Sequence, residues 1–179
     1  GKLGTIEKAV VEKKCVCLKR YSSASGIRDR HVEPFKVTGE GKFVWCYDLE
    51  ERKCKQYSIS RAADIILLNE AWTHQREHKA LETDIFNWSG DKAMHIELRM
   101  DNLACNILKD EHPQSVKFLT SINDGEEWIL STDIYRCEAP GRFVIGLLDH
   151  VKILQGEELK KYVKDYINEH FDAEQLTVC

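Results

Sequence analysis

The chain is short of the features that usually assign a protein quickly. It holds only 3 prolines, and no apolar run approaches the roughly 18 residues of a membrane-crossing helix. No membrane partner is therefore expected. The N-terminus lacks the apolar core of a signal peptide and reads instead as an amphipathic helix. The 7 cysteines, at positions 15, 17, 46, 54, 105, 137 and 179, include no Cys-x-x-Cys pair. An odd count without paired spacing argues against a disulfide scaffold and for reduced thiols in a cytoplasm. They read as small buried hydrophobes plus a tail thiol at Cys179. Also missing are a G-x-S-x-G elbow, a Gly-rich phosphate loop before a helix and a Cys–His pair of defined spacing. These absences remove the common hydrolase and nucleotidase readings, so no enzyme and no cofactor are expected. Gly1 in place of an initiator Met leads to the expectation of a processed or excised piece.

What is present divides in two. Residues 1–70 carry 14 Lys+Arg against 10 Asp+Glu, a charge of +4, while residues 71–179 carry 12 against 20, or −8. The basic half would attract anions. The acidic half would repel nucleic acid and suits protein contact. The expected organisation is a barrel over 1–70, a crossing segment over 71–92 and a second unit over 93–179.

Residues 3–13 place Leu3, Ile6, Val10 and Lys13 at helical spacing, with Thr5 able to cap. Strands are predicted at 15–21, 30–37, 42–48, 53–59 and 64–68, and residues 22–29 read as a polar loop rich in Ser and Gly. One short helix and five short strands with tight turns make a small β-barrel. Its strands carry an aromatic cluster (Phe43, Trp45, Tyr47, Tyr57) and the cations Arg28, Arg30, Lys55 and Arg61. Aromatic faces beside guanidinium groups suit a flat anionic ligand, such as a nucleotide or a short single strand of nucleic acid.

From Ala93 the rhythm changes. AMHIELRM alternates as a strand, and DNLACNILKDEH follows as a helix capped by Asp101. SVKFLTSI and EEWILSTDIY form a hairpin around Asn123-Asp124-Gly125. Pro140 suits the first turn of a helix through RFVIGLLDH, and VKIL is a fourth strand. The order βαββαβ is the ferredoxin-like split motif. A last helix puts Leu159, Tyr162, Val163, Tyr166, Ile167 and His170 on one side, a stripe suited to core or dimer packing. The expected fold class is thus α+β: a barrel with an N-terminal helix, then a ferredoxin-like unit and a C-terminal helix.

The order of motifs resembles the WYL-domain family. The short helix 3–13 is followed by a strand ending at Tyr21, a polar loop, and Arg30 just before Val32-Glu33-Pro34-Phe35. The namesake triad falls on Trp45-Cys46-Tyr47, where only the Trp keeps its place. The pattern closes with Tyr57-Ser58-Ile59-Ser60-Arg61, with Ala62 replacing a large apolar residue. Residues 93–171, including GRFVIGL at 141–147, resemble the C-terminal extension that often follows such domains. The resemblance implies an Sm-like barrel that senses nucleotide-type or single-stranded nucleic-acid effectors for an attached winged helix-turn-helix. The DNA-reading part is expected upstream, and DNA is a partner only through it. A homo-oligomer is also expected, from the apolar stripe on the last helix.

Arg61 and Arg30 are the first candidates to hold phosphate. The competing role for Arg61 is an ion pair with Glu33, Asp48 or Asp64. Tyr21 and Tyr57 are candidate stacking walls on a half-exposed surface. Trp45 is either barrel core or stacking platform. Arg28 is a ligand contact or a loop charge, and Ser23 stands for a loop that could donate hydroxyls or simply be solvated. Two other functions stay open. One is an interaction module without a small ligand. The other is a zinc hydrolase using His74 and His78, which sit in H-x-x-E-H spacing at i, i+4; a solvated histidine pair is its plain alternative, and no metal is expected.

Overall fold

The computed structural model describes residues 1–178. The tail thiol read at Cys179 lies outside the described residues. The fold is α+β, as expected, with two antiparallel sheets. The chain divides into two compact units, Gly1–Leu81 and the chain from Glu82 on. Residues 71–81, read as the start of a crossing segment, thus belong with the barrel.

The first unit opens with α1 (Lys2–Glu12), which turns its Ile6 and Ala9 into the core. Lys13 ends it in the left-handed conformation, φ 53°. Thr5 does not cap: Gly1 is the N-cap, and Thr5 lies inside the helix with its hydroxyl on the Gly1 carbonyl at 3.3 Å. The strands are β1 (Lys14–Ser23), β2 (Gly26–Thr38), β3 (Phe43–Asp48), β4 (Lys53–Ser58) and β5 (Asp64–Ala71). They pair antiparallel in the order β4-β3-β2-β1-β5.

The predicted loop at 22–29 is a correction. β1 and β2 run on as a hairpin to Ser23↔Gly26, and only residues 24 and 25 turn. Ser, Gly and Asp bias a local reading toward loop, but cross-strand pairing overrides that bias. The sheet curls strongly. β1 and β4 are separated by two strands, yet the Tyr21 hydroxyl accepts a hydrogen bond from the Ser58 N–H at 3.0 Å. Inside the curl lie Val16, Leu18, Val32, Val44, Cys46, Tyr57 and Ile65. Gly41 (φ 86°) lets the β2–β3 turn close on α1, since a Cβ there would meet Leu3 at 2.9 Å.

The second unit comprises β6 (Met94–Asp101), α2 (Asn102–Glu111), β7 (Leu119–Ile122), β8 (Glu127–Ile134), α3 (Glu138–Gly146), β9 (Val151–Gln155) and α4 (Glu157–His170). The sheet order β7-β8-β6-β9 with all neighbours antiparallel is ferredoxin-like. Asp101 caps α2 as expected, accepting from the Ala104 N–H at 3.0 Å. The strand read from Ser115 begins only at Leu119, because Pro113–Phe118 is a 3-10 helix with proline in its first turn. Ile96, Leu98, Met100, Leu108, Leu130, Ile134, Leu159 and Val163 fill an apolar core. Much of the α4 stripe is therefore used inside its own unit. Tyr162 packs on Gly141, where a Cβ would come within 2.5 Å of the ring. No helix among the described residues is long and apolar enough to cross a membrane.

Candidate anion-binding site

Strand alternation decides which candidates meet. Arg30 pairs with Leu18 across β1–β2 and shares its face with Val32, so it points into the curl of the sheet. It is buried, only 3% exposed. Asp48, at the end of β3, is buried beside it. Its Oδ1 accepts the backbone N–H groups of Glu50 at 3.0 Å and Glu51 at 2.9 Å, which shapes the β3–β4 turn. That turn delivers the Glu51 carboxylate to a cluster of cations. Arg28 Nη2 donates to Glu51 Oε1 at 2.9 Å, Arg30 Nη1 to the same oxygen at 3.1 Å, and Lys55 Nζ to Oε2 at 2.7 Å.

Three cations from two strands thus converge on one half-buried carboxylate. Hydrogen bonding from Lys55, with help from Arg30, holds the Glu51 carboxyl below its ordinary value of 4.5, against the opposing effect of burial. Arg30 also lies 3.9 Å from Asp48 Oδ2. Its Nε is buried and has no hydrogen-bond partner among the described residues. Buried guanidinium nitrogens are rarely left so, because an unmade bond costs about 1–3 kcal/mol.

Tyr57 and Tyr21 are placed differently from expectation. Both rings are buried in the core, 2% and 4% exposed, and meet edge to face with centroids 5.0 Å apart. The Tyr57 hydroxyl donates to Asp48 Oδ2. Burial first, then that carboxylate, pushes the phenol far above its usual range. Neither ring is an open stacking wall. Tyr57 instead floors the cations, with Lys55 Nζ 5.6 Å and Arg30 Cζ 6.0 Å from its centroid.

Trp45 is buried, which agrees with a core role and not with an open stacking platform. Val44 pairs with Tyr57, so its neighbour Trp45 lies on the opposite face of β3, buried but outside the core cluster of the curl. It does not join the cation cluster. Ser23 sits at the hairpin tip, its hydroxyl engaged with Ser25 at 3.0 Å and the Gly26 carbonyl at 3.1 Å. Arg28 is on a strand rather than in a loop. Arg61 is exposed on a 3-10 turn and forms none of the ion pairs considered for it among the described residues.

His74 and His78 converge on Glu33, a fully buried carboxylate. It accepts from the Thr73 N–H at 2.7 Å and the His74 N–H at 3.2 Å, and lies 2.8 Å from His78 Nε2. The His74 ring stacks on Tyr47 and the His78 ring on Phe35, both at 4.5 Å. The i, i+4 spacing here straps residues 73–78 to the outer face of the sheet, on a 3-10 turn rather than an α-helix.

Glu51 was missed in the sequence because E-E-R-K reads as an ordinary solvated turn. Its signals were weak: Lys55 lies four residues on, and Asp48 stands in the turn-starting position that caps local N–H groups.

Among solved structures, the chain is similar to proteasome accessory factor B/C (PafBC) of Arthrobacter aurescens. The identity is 13% and the TM-score 0.42, over 92% of this chain and 26% of that one. It is also similar to a CRISPR Cas-related protein, with 13% identity and a TM-score of 0.31, over 99% of this chain and 53% of that one. The chain therefore spans about a quarter and about half of these two proteins. No family model and no curated protein matches it.

Proposed function

We propose that the barrel is a non-catalytic sensor module for a nucleotide-like anion or short single-stranded nucleic acid, of the WYL kind, acting in a transcriptional regulator whose DNA-reading part lies outside this chain. The observation that carries this reading is the convergence of Arg28, Arg30 and Lys55 on the Glu51 carboxylate. Guanidinium and ammonium groups so arranged are complementary to phosphate. Glu51 occupies the position a phosphate would take, and the unpartnered Arg30 Nε supplies a further donor. Recognition would rest on charge rather than on stacking, because the tyrosine rings are enclosed. Binding would exchange the carboxylate for the ligand and release the β3–β4 turn, which offers a signal to an attached domain.

A second reading, an interaction module with no small ligand, draws on the charge balance of the same cluster. Arg28, Arg30 and Lys55 face Glu50, Glu51 and Asp48, so the network can be purely structural. Titrating labelled oligonucleotides and a cyclic-nucleotide panel separates the two. A sensor should lose about tenfold in affinity, about 1.4 kcal/mol, in Arg28→Ala and gain affinity in Glu51→Gln. Its binding should weaken as salt rises. Arg61→Ala tests the exposed arginine in the same assay. No binding by wild type and by Glu51→Gln alike would return the cluster to a structural role.

A further inference from the structure

The sheet face opposite the cation cluster carries a separate constellation. Cys15 on β1, His31 on β2 and Glu70 on β5 come from three adjacent strands, with β1 in the middle. A ligand-type atom from each, thiol sulfur, imidazole nitrogen and carboxylate oxygen, lies within 4.8 Å of the other two. The β1–β5 register shifts between Lys14↔Ala71 and Val16↔Leu67, so Cys15 sits at the irregularity. Such irregularities re-aim side chains.

Among the described residues the three atoms have few partners besides one another. His31 Nε2 is enclosed and lacks a hydrogen-bond partner among the described residues. Glu70 Oε2 approaches it to 2.9 Å without hydrogen-bonding alignment. The Cys15 thiol, 1% exposed, has only a long contact of 3.8 Å to the Ala71 carbonyl. Burial first, then the Glu33 and Glu70 carboxylates, pushes this thiol up to about 11, so it is protonated when no cation is near. A close group of sulfur, nitrogen and oxygen donors is a set that one cation can bridge.

We propose that Cys15, His31 and Glu70 bind a borderline divalent transition-metal ion, with zinc as the first choice. Mixed S, N and O donors suit that class and not magnesium or calcium. Ligand bonds of about 2.0–2.3 Å place donor atoms around a tetrahedral ion roughly 3.5 Å apart. The partly exposed His31 and Glu70 side chains can adjust to that spacing, at 43% and 58% exposure. On binding, the Cys15 S–H bond breaks, its proton leaves to solvent and a metal–thiolate bond forms. His31 gives the lone pair of Nε2 and Glu70 a carboxylate oxygen. A water molecule would complete the fourth position. The ion would tie the edge strand β5 to β1 and β2.

The test uses the full chain after chelator treatment, titrated with zinc and with cobalt(II) as its spectroscopic stand-in. One equivalent should bind. Cobalt should give a thiolate charge-transfer band in the near ultraviolet, and zinc should raise the melting temperature reversibly with chelator. Cys15→Ser should abolish the band, while Cys54→Ser, on β4, which neighbours none of the three ligand strands, should keep it. His31→Ala and Glu70→Gln, both partly exposed and expected to fold, should each weaken binding at least tenfold. A sub-stoichiometric metal content in wild type would overturn the proposal. So would a band surviving Cys15→Ser, or unchanged affinity in both His31→Ala and Glu70→Gln.

Discussion

The two units solve the problem of an interior in opposite ways. The ferredoxin-like unit is filled by apolar side chains, and its buried Asp84 is fully served by backbone. Asp84 accepts the N–H groups of Phe86 at 2.9 Å, Trp88 at 3.0 Å and Tyr135 at 3.0 Å. The barrel buries Arg30, Glu33 and Asp48, and serves the two carboxylates with side-chain as well as backbone donors. Backbone donors are fixed by the fold, whereas side-chain partners can be exchanged. Buried ion pairs seldom raise stability over a packed apolar core. The proposed ligand site falls in the unit that has exchangeable side-chain partners.

The largest expected effects set the two interiors against each other. Leu130→Ala should cost the second unit about 2–5 kcal/mol by leaving a cavity at a fully buried site. Arg30→Ala should cost the barrel about 3 kcal/mol by stranding Asp48 and Glu51. Calorimetry across pH distinguishes the mechanisms. The Glu51 carboxyl is held below its ordinary 4.5, so its contribution is present above that value and is lost as pH falls through the depressed one. The Arg30→Ala deficit should therefore shrink in acid, while the Leu130→Ala deficit should not. Equal pH dependence of the two deficits would break the comparison.

Gly141→Ala should follow at about 1–3 kcal/mol, because the new methyl meets the Tyr162 ring at 2.5 Å. Thermal unfolding monitored by tyrosine signals would register it, and a neutral result would mean that α4 shifts freely. Asp101→Ala should remove about 1 kcal/mol with the α2 cap, read by denaturant melts.

The smallest effect is the pH response of the Asp101–His150 pair. Their mutual hydrogen bond lowers Asp101 below 3.8 and raises His150 above 6.5. The His150 share is complete below 6.5 and fades as pH rises through its raised value. The Asp101 share is complete above 3.8 and fades as pH falls. Melts of wild type and His150→Gln should differ most between those limits, and identical profiles would remove the pair from the account.

What the sequence disclosed follows the range of the interactions. Alternation in FVWCYD and MHIELRM, the Asp101 cap and the βαββαβ order are local signals, and the strands and helix they predict are present. The hairpin through Ser23 and Gly26 was hidden because its pairing outweighs the loop bias of its residues. Arg28 and Arg30 were legible as cations on the barrel, but their shared partner was not. Only the curl of the sheet and the Asp48 turn bring Glu51 to them. The enclosure of Tyr21 and Tyr57 is likewise a product of that curl, since the aromatic pattern alone is silent on which face closes. His74 and His78 were visible as a pair, whereas their common partner Glu33 stands some forty residues earlier.

Glu33 also determines where this molecule can be cut. A fragment ending at residue 70 would keep all five core strands nearly whole, yet it would strip Glu33 of Thr73, His74 and His78 together. It would also bare the flat faces of Phe35 and Tyr47 that the two imidazole rings cover. A naked carboxylate and two newly wetted aromatics would then share one surface, a combination that favours aggregation over a clean monomer. The smallest piece that carries its own cover extends past His78, and a barrel prepared for ligand work should end near Leu81.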